Sequence, residues 1–232
     1  MIASPKPKNS KFTILLIIVA VGIWGYNLLQ SSGQTPRKNS PSAEAKKPVA
    51  SSSKKSETIG AYEIYHKCTL AEARNNDGDS FMVNLPNGKK SEFRLYFVDT
   101  PESAFKSYAG GDTNHQRIRQ QAAEMGGITS EQAVEIGKKS KTFTLSLLAS
   151  QPFDLYTRWD SPFNDNRFHA FIQVQQSGKP RWLEELLVER GLARIKTKPA
   201  DLPDGTPASK QLQHLKDLER TAKRAEVGVW GL

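Results

Sequence analysis

The stretch DGDSFMVNLPNGKKSEFRLYFVDTPE, Asp77 to Glu102, constrains this chain more than any other. Asn87-Gly88 tolerates positive φ at both positions and joins two apolar-rich runs, which reads as a tight β-hairpin. With those two residues as the loop, Asp79 lies opposite Tyr96 and Phe81 opposite Arg94. Side chains alternate faces along a strand, so Asp79 and Arg94 share a face as diagonal neighbours. Asp99 has the other parity. It joins them only if the strand bulges, or ends before Thr100-Pro101. Pro101 favours an ending, because it has no N–H to donate and biases Thr100 toward extended backbone. A small sheet has no structural need for four acids, Asp77, Asp79, Asp99 and Glu102, around one arginine. Their reason has to come from the rest of the chain.

Residues 12–29, FTILLIIVAVGIWGYNLL, form an uncharged run of eighteen. A membrane span needs about 20 apolar residues, with a lower bound near 17. Lys6, Lys8 and Lys11 precede the run, which places residues 1–11 in the cytoplasm. An uncleaved transmembrane anchor fits better than a cleaved signal peptide, since no Ala-x-Ala follows. Either way the remainder is expected outside the cytoplasm, membrane-tethered or secreted. Residues 30–59 are rich in Ser, Pro and Lys without apolar periodicity and read as a disordered linker. Residues 60–232 read as one folded domain. The chain carries 33 Lys/Arg against 24 acids, but nine basic residues and two acids lie in residues 1–59. The remaining 24 against 22 leave the domain nearly neutral, so bulk charge says little about its ligand. A single cysteine, Cys68, excludes an intrachain disulfide and reads as a small buried hydrophobe.

Within the domain, strands are expected near 62–73, 79–86, 90–98, 152–158 and 167–175. Helices are expected near 130–150, 181–190 and 207–226, the second closed by Gly191. Five short strands with inserted and appended helices suggest an α+β fold, a small Greek-key barrel with about three packed helices.

Asp79 and Asp99, with a backbone carbonyl and waters, make an oxygen-only donor set suited to calcium or another hard cation. No Cys/His cluster has zinc spacing, and Asp77-Gly78-Asp79 lacks the later ligand positions of an EF-hand. His66, His115 and His214 are scattered; His169 alternates with Arg167 along one strand face. A guanidinium fork matches two phosphate oxygens. A carboxylate such as Glu102 can orient or deprotonate water. Acids with arginine therefore suit phosphoryl hydrolysis, while surface acids paired to a surface arginine remain the plain alternative.

DGDS, FRLYFVDTPE, NDNRFHAFI and LVERGLARI together resemble the staphylococcal nuclease-like (thermonuclease) family, over roughly residues 62 to 232. The resemblance implies a five-stranded OB-fold barrel and calcium-dependent hydrolysis of DNA and RNA with little sequence preference, leaving 3′-phosphate ends. By that resemblance Asp79 and Asp99 match the metal carboxylates, and Thr100 the residue offering its carbonyl. Glu102 matches the acid acting on the attacking water, and Arg94 and Arg167 match the phosphate arginines. Asp77 matches an acid near the metal, in a supporting role. A monomer acting on nucleic acid is expected.

The chain also departs from the family. Asp165 stands where the family has a tyrosine two residues before the second arginine. The Tyr-x-Tyr after Gly-Leu-Ala is replaced within GLARIKTKPADLP. Trp159, Phe163 and Phe168 are either substitute stacking faces or ordinary packing. The connection over 103–128 is longer than the family loop. Within it NHQRIRQQAAEM reads as a helix between Gly110-Gly111 and Gly126-Gly127. It is either a lid that brings Arg117 and Arg119 to phosphate or a solvated insertion. Two further readings of the whole domain are a non-catalytic nucleic-acid-binding module and an envelope interaction protein.

Overall fold

The computed structural model describes residues 57–161 and 166–232. The expected anchor at 12–29 and most of the expected linker lie outside these residues. Among the described residues no helix is long and apolar enough to cross a membrane.

Among the described residues, nine strands and four helices follow in the order β1 (Glu57–Ile59), β2 (Tyr62–Leu70), β3 (Ser80–Asn84), β4 (Lys90–Leu95), β5 (Val98–Asp99), α1 (His115–Glu124), α2 (Ser130–Ser150), β6 (Phe153–Thr157), β7 (Arg167–Gln176), β8 (Lys179–Trp182), α3 (Leu183–Glu189), β9 (Arg194–Ile195) and α4 (Ala208–Arg224). A 3-10 turn at Gly228–Gly231 ends the chain. Strands β2, β3, β4, β7 and β6 neighbour one another in that order, and β6 returns to β2. This is a closed five-stranded mixed barrel, in keeping with an OB-fold α+β domain. Every barrel pairing is antiparallel except β4–β7. That parallel pair requires a long crossover, and α1 and α2 lie within it.

The barrel interior is aromatic. Phe171 on β7 lies 4.7 Å from the Tyr96 ring, 5.8 Å from Tyr62 and 5.7 Å from Trp182, centroid to centroid. Such offset and edge contacts add to the area the rings bury. Cys68 is fully buried in β2, as its sequence context suggested, and burial pushes its thiol up to about 12. Helix α2 starts on a reciprocal capping box: Thr129 accepts from the Gln132 N–H, and Gln132 accepts from the Thr129 N–H.

The hairpin register differs from the expected one. Ser80, not Phe81, lies opposite Arg94, and Phe81 faces Phe93. The turn holds three residues, Pro86-Asn87-Gly88, between the paired Leu85 and Lys89, and Gly88 takes φ +84°. Pro86 fixes its own φ near −65°, which starts a type I turn; Gly88 then closes it in the left-handed region. The extra loop residue shifts the pairing by one.

Other differences are smaller. Residues 57–59, expected in the linker, pair with β2. Arg181 and Trp182, expected in a helix, pair with Val174 and Gln173 instead, and the helix begins at Leu183. Trp182 packs edge-on against Tyr156 there, so burying its ring outweighs another helical turn.

Candidate active site

The polypeptide after β4 leaves ideal strand geometry. Phe97 has φ +66°, and the Val98 N–H bonds to the Tyr96 carbonyl at 2.8 Å. This is a γ-turn at a bulky residue, a conformation costing about 1–3 kcal/mol. It supplies the parity change that ideal alternation lacked. Asp99 then emerges on β5 opposite Arg194 of β9, facing Asp79.

Asp79, Arg94, Asp99, Thr100 and Glu102 do come together. One Arg94 nitrogen, Nη2, donates to Asp79 at 3.1 Å and to Asp99 at 2.5 Å. The Thr100 N–H donates to Asp79 at 3.3 Å. Asp79 is buried with a single guanidinium beside it. Burial, set against Arg94 and aided by the Asp99 charge, pushes its carboxyl up to about 6. Asp99 goes the other way. Burial alone would raise it, but Arg194, Arg117, Gln121 and Arg94 outweigh burial and hold it below the usual carboxylate range. Asp77 sits just behind, raised by burial, with its oxygens facing the Gly78 N–H at 3.0 Å and the Ser103 hydroxyl at 3.5 Å.

Helix α1 completes the cluster. Ile118 and Ala122 seat it against Ala133 and Val134 of α2. Gln121 is fully buried and ties three points together. Its amide donates to Asp99 at 3.0 Å and to the Thr100 carbonyl at 3.1 Å, and its oxygen accepts from the Glu102 N–H at 3.0 Å. Arg117, one turn earlier, reaches Asp99 at 3.0 Å and Glu102 at 3.1 Å. The segment is therefore part of the site. Arg119 shows no such contact among the described residues. Glu102 also receives Asn114 at 3.3 Å and Lys106 at 3.4 Å. Its backbone rests on α2: a Cβ added at Gly137 would lie 2.3 Å from the Glu102 carbonyl oxygen.

Arg194 and Gln121 were missed from the sequence. Arg194 bonds Asp99 at 2.7 and 2.8 Å and pairs with Glu124. Its motif, GLARI, was in view, but nothing local shows that β9 pairs with β5. Arg117 and Gln121 are four apart, a spacing that places them on one helix face.

Arg167 is carried at the start of β7, opposite Glu92, two residues before His169, which lies opposite Arg94. Parallel pairing puts Arg94, Arg167 and His169 on one sheet face. His169 is buried against Tyr96, with rings 4.9 Å apart and nearly parallel, and burial lowers its pKa despite Asp160. Asp160 stands 3.3 Å from its Nδ1, without the geometry of a hydrogen bond. Trp159 and Phe168 pack on Phe93 at 5.6 and 6.3 Å, and on each other at 4.9 Å, rather than standing free for stacking. Phe163 and Asp165 lie outside the described residues.

A family model described as staphylococcal nuclease homologue matches residues 92–231. The chain belongs to that family. The match spans Arg94, Asp99, Thr100, Glu102 and Arg167 and begins after Asp79. Among curated proteins none matches the chain. Membership supports a nuclease-like activity on nucleic acid. Buried ion pairs of this kind are weak stabilisers, since desolvation offsets their attraction.

No group of three or more acidic, histidine or cysteine side chains is arranged to hold a metal among the described residues. A cation here would depend on two carboxylates, a carbonyl and water. The donor set still fits a hard cation. It is all oxygen, and Asp79 is short of countercharge, with no protein donor to its Oδ1 among the described residues.

Proposed function

We propose that the chain is a calcium-dependent endonuclease that hydrolyses DNA and RNA with little sequence preference and leaves 3′-phosphate ends. The observation that carries this reading is the placement of Arg94. Its Nη2 bridges Asp79 and Asp99, while its Nε and Nη1 have no protein acceptor among the described residues, and the side chain lines an open cavity. That is a fork held for phosphate.

Asp79, Asp99 and the Thr100 carbonyl would hold calcium, whose charge offsets that gained by a phosphodiester under attack. Arg94 and Arg167 bind the equatorial phosphate oxygens, where negative charge develops during in-line attack by water. Glu102 accepts the water proton. Gln121 and Arg117 fix the Glu102 backbone and side chain, so the acid is positioned before substrate arrives. The proposal extends to the whole chain: a single-pass anchor at 12–29, a cytoplasmic N-terminus and a monomeric exported domain, or a secreted one if the segment is cleaved.

The test uses full-length chain with single-stranded DNA, double-stranded DNA and RNA, each with calcium, magnesium or chelator, and identifies the product ends. Calcium-dependent cleavage is expected, with Glu102→Gln and Arg167→Ala each slower by about a hundredfold or more. Near-normal turnover in both variants would sink the assignment. A folded chain that binds nucleic acid but never cleaves it would leave the binding-module reading.

A further inference from the structure

The cavity beside the carboxylate cluster has a volume of about 590 Å³, and its lining is strongly one-sided. Arg94, Arg117, Arg194, Lys196 and Lys198 contribute five positive side chains, against one acid, Asp99. A cleft lined by one sign of charge concentrates the opposite sign. The excess is local, since the domain as a whole is close to neutral.

These cations differ in what they are free to do. Arg194 has a side chain 10% exposed and is committed to Asp99 and Glu124. Lys196 and Lys198 are about half exposed. Each has one acidic neighbour, Glu124 at 3.0 Å and Asp160 at 2.8 Å. Solvated pairs like these contribute little, so exchanging the carboxylate for another anion costs little. The backbone sets their spacing. The Phe97 N–H donates to the Lys198 carbonyl, and the Phe97 carbonyl accepts from both the Lys196 and the Thr197 N–H, so the segment bends at Thr197 and is tied to the γ-turn. Both lysine side chains line the same cavity as Arg94 and Arg194. The cavity offers no free aromatic face among the described residues, because Tyr96 and His169 are buried against each other.

We propose that Lys196 and Lys198 form a second phosphate subsite, which takes the backbone phosphates flanking the scissile one. The ligand is a strand of nucleic acid held by charge rather than by base stacking, with Arg117 closing the opposite wall. The inference rests on the nuclease reading but is tested apart from it, by binding in chelator.

Binding of the full-length chain to a labelled single-stranded oligonucleotide is measured across a salt series, for the parent, Lys196→Ala, Lys198→Ala and the double variant. Each lysine lost is expected to reduce the log–log salt slope by about 0.7. Uncharged methylphosphonate linkages are then placed one at a time along the strand. At one or two positions the neutral linkage weakens binding by the parent and leaves the double variant unaffected. Melting curves check that the variants fold. Unchanged salt slopes, or a methylphosphonate penalty equal in parent and double variant, overturn the subsite. Inorganic phosphate that competes as well as the oligonucleotide reassigns the site to a free anion and also overturns it. Binding that follows the prediction without any cleavage under calcium instead removes the nuclease reading and leaves the subsite standing.

Discussion

Gly137 gives the sharpest link between packing and catalysis. It lies inside α2, where an alanine would ordinarily be favoured over glycine by about 1 kcal/mol. Its Cβ would meet main chain only: the Glu102 carbonyl oxygen at 2.3 Å, the Glu102 carbonyl carbon at 2.6 Å and the Pro101 carbonyl oxygen at 2.6 Å. Bringing the closest contact from 2.3 to the 3.0 Å that Cβ atoms tolerate moves the backbone by 0.7 Å. Overpacking of this kind costs about 1–3 kcal/mol, which the helix gain partly offsets. The net loss of about 0–2 kcal/mol lowers Tm by at most about 8 °C for a domain this size. Catalysis is hit harder, since a misplacement near 1 Å can cost about a hundredfold. Gly137→Ala is therefore expected to stay folded at 25 °C while single-turnover cleavage slows by tenfold to a hundredfold. Circular dichroism melting and quenched-flow cleavage read the two effects separately. Wild-type turnover in a folded variant would refute the claim that this contact positions Glu102. Collapse of the fold would refute the energetic balance.

Two pH dependences follow from buried acids whose pKa lies above the ordinary range. Such a group contributes stability that is complete below the unfolded pKa and is lost as pH rises through the folded one. For Asp79 the window runs from about 4 to about 6, and roughly two pH units at about 1.4 kcal/mol each give about 3 kcal/mol. In chelator, Asp79→Asn should melt higher than the parent at pH 7.5 and equally at pH 4, and with calcium restored it should lose the parent's cleavage; a lower melting point at pH 7.5 would contradict this. Glu184, at the start of α3, is fully buried with neither oxygen hydrogen-bonded, and burial raises its pKa well above the usual value. Glu184→Gln should stabilise the fold increasingly from pH 5 to pH 8, and identical melting across that range would show that Glu184 finds a partner.

The sequence carried the barrel strands and the long helices because their apolar periodicity is local. α2 runs over the expected 130–150, and α4 falls within two residues of its expected ends. It carried the acids because Asp-Gly-Asp and Val-Asp-Thr-Pro-Glu are compact motifs. What it hid depends on backbone detail or distance. The proline-led turn moved the hairpin by one residue. The γ-turn at Phe97 reversed the parity of Asp99, and no propensity places a positive φ at phenylalanine. β9 is two residues long, too short for any periodic signal, yet it delivers Arg194 to Asp99. The helical stretch NHQRIRQQAAEM was legible as a helix. Its docking against α2, through Ile118 and Ala122, was not.

The parallel β4–β7 pairing also bears on when the site comes into being. The partners of Asp99 stand at positions 94, 117, 121 and 194, on three different elements, β4, α1 and β9. Three of them lie within residues 94–121, but Arg194 arrives only from β9, almost a hundred residues after Asp99. Closing so many distant contacts is slow compared with forming a hairpin or a helix. The shell around Asp99 thus stays incomplete until β5 and β9 pair. Under the proposed export, a chain crossing the membrane unfolded would carry no assembled nuclease past the nucleic acids of its own cytoplasm. Activity would be conferred by folding, on the far side, with no inhibitor needed to hold it back.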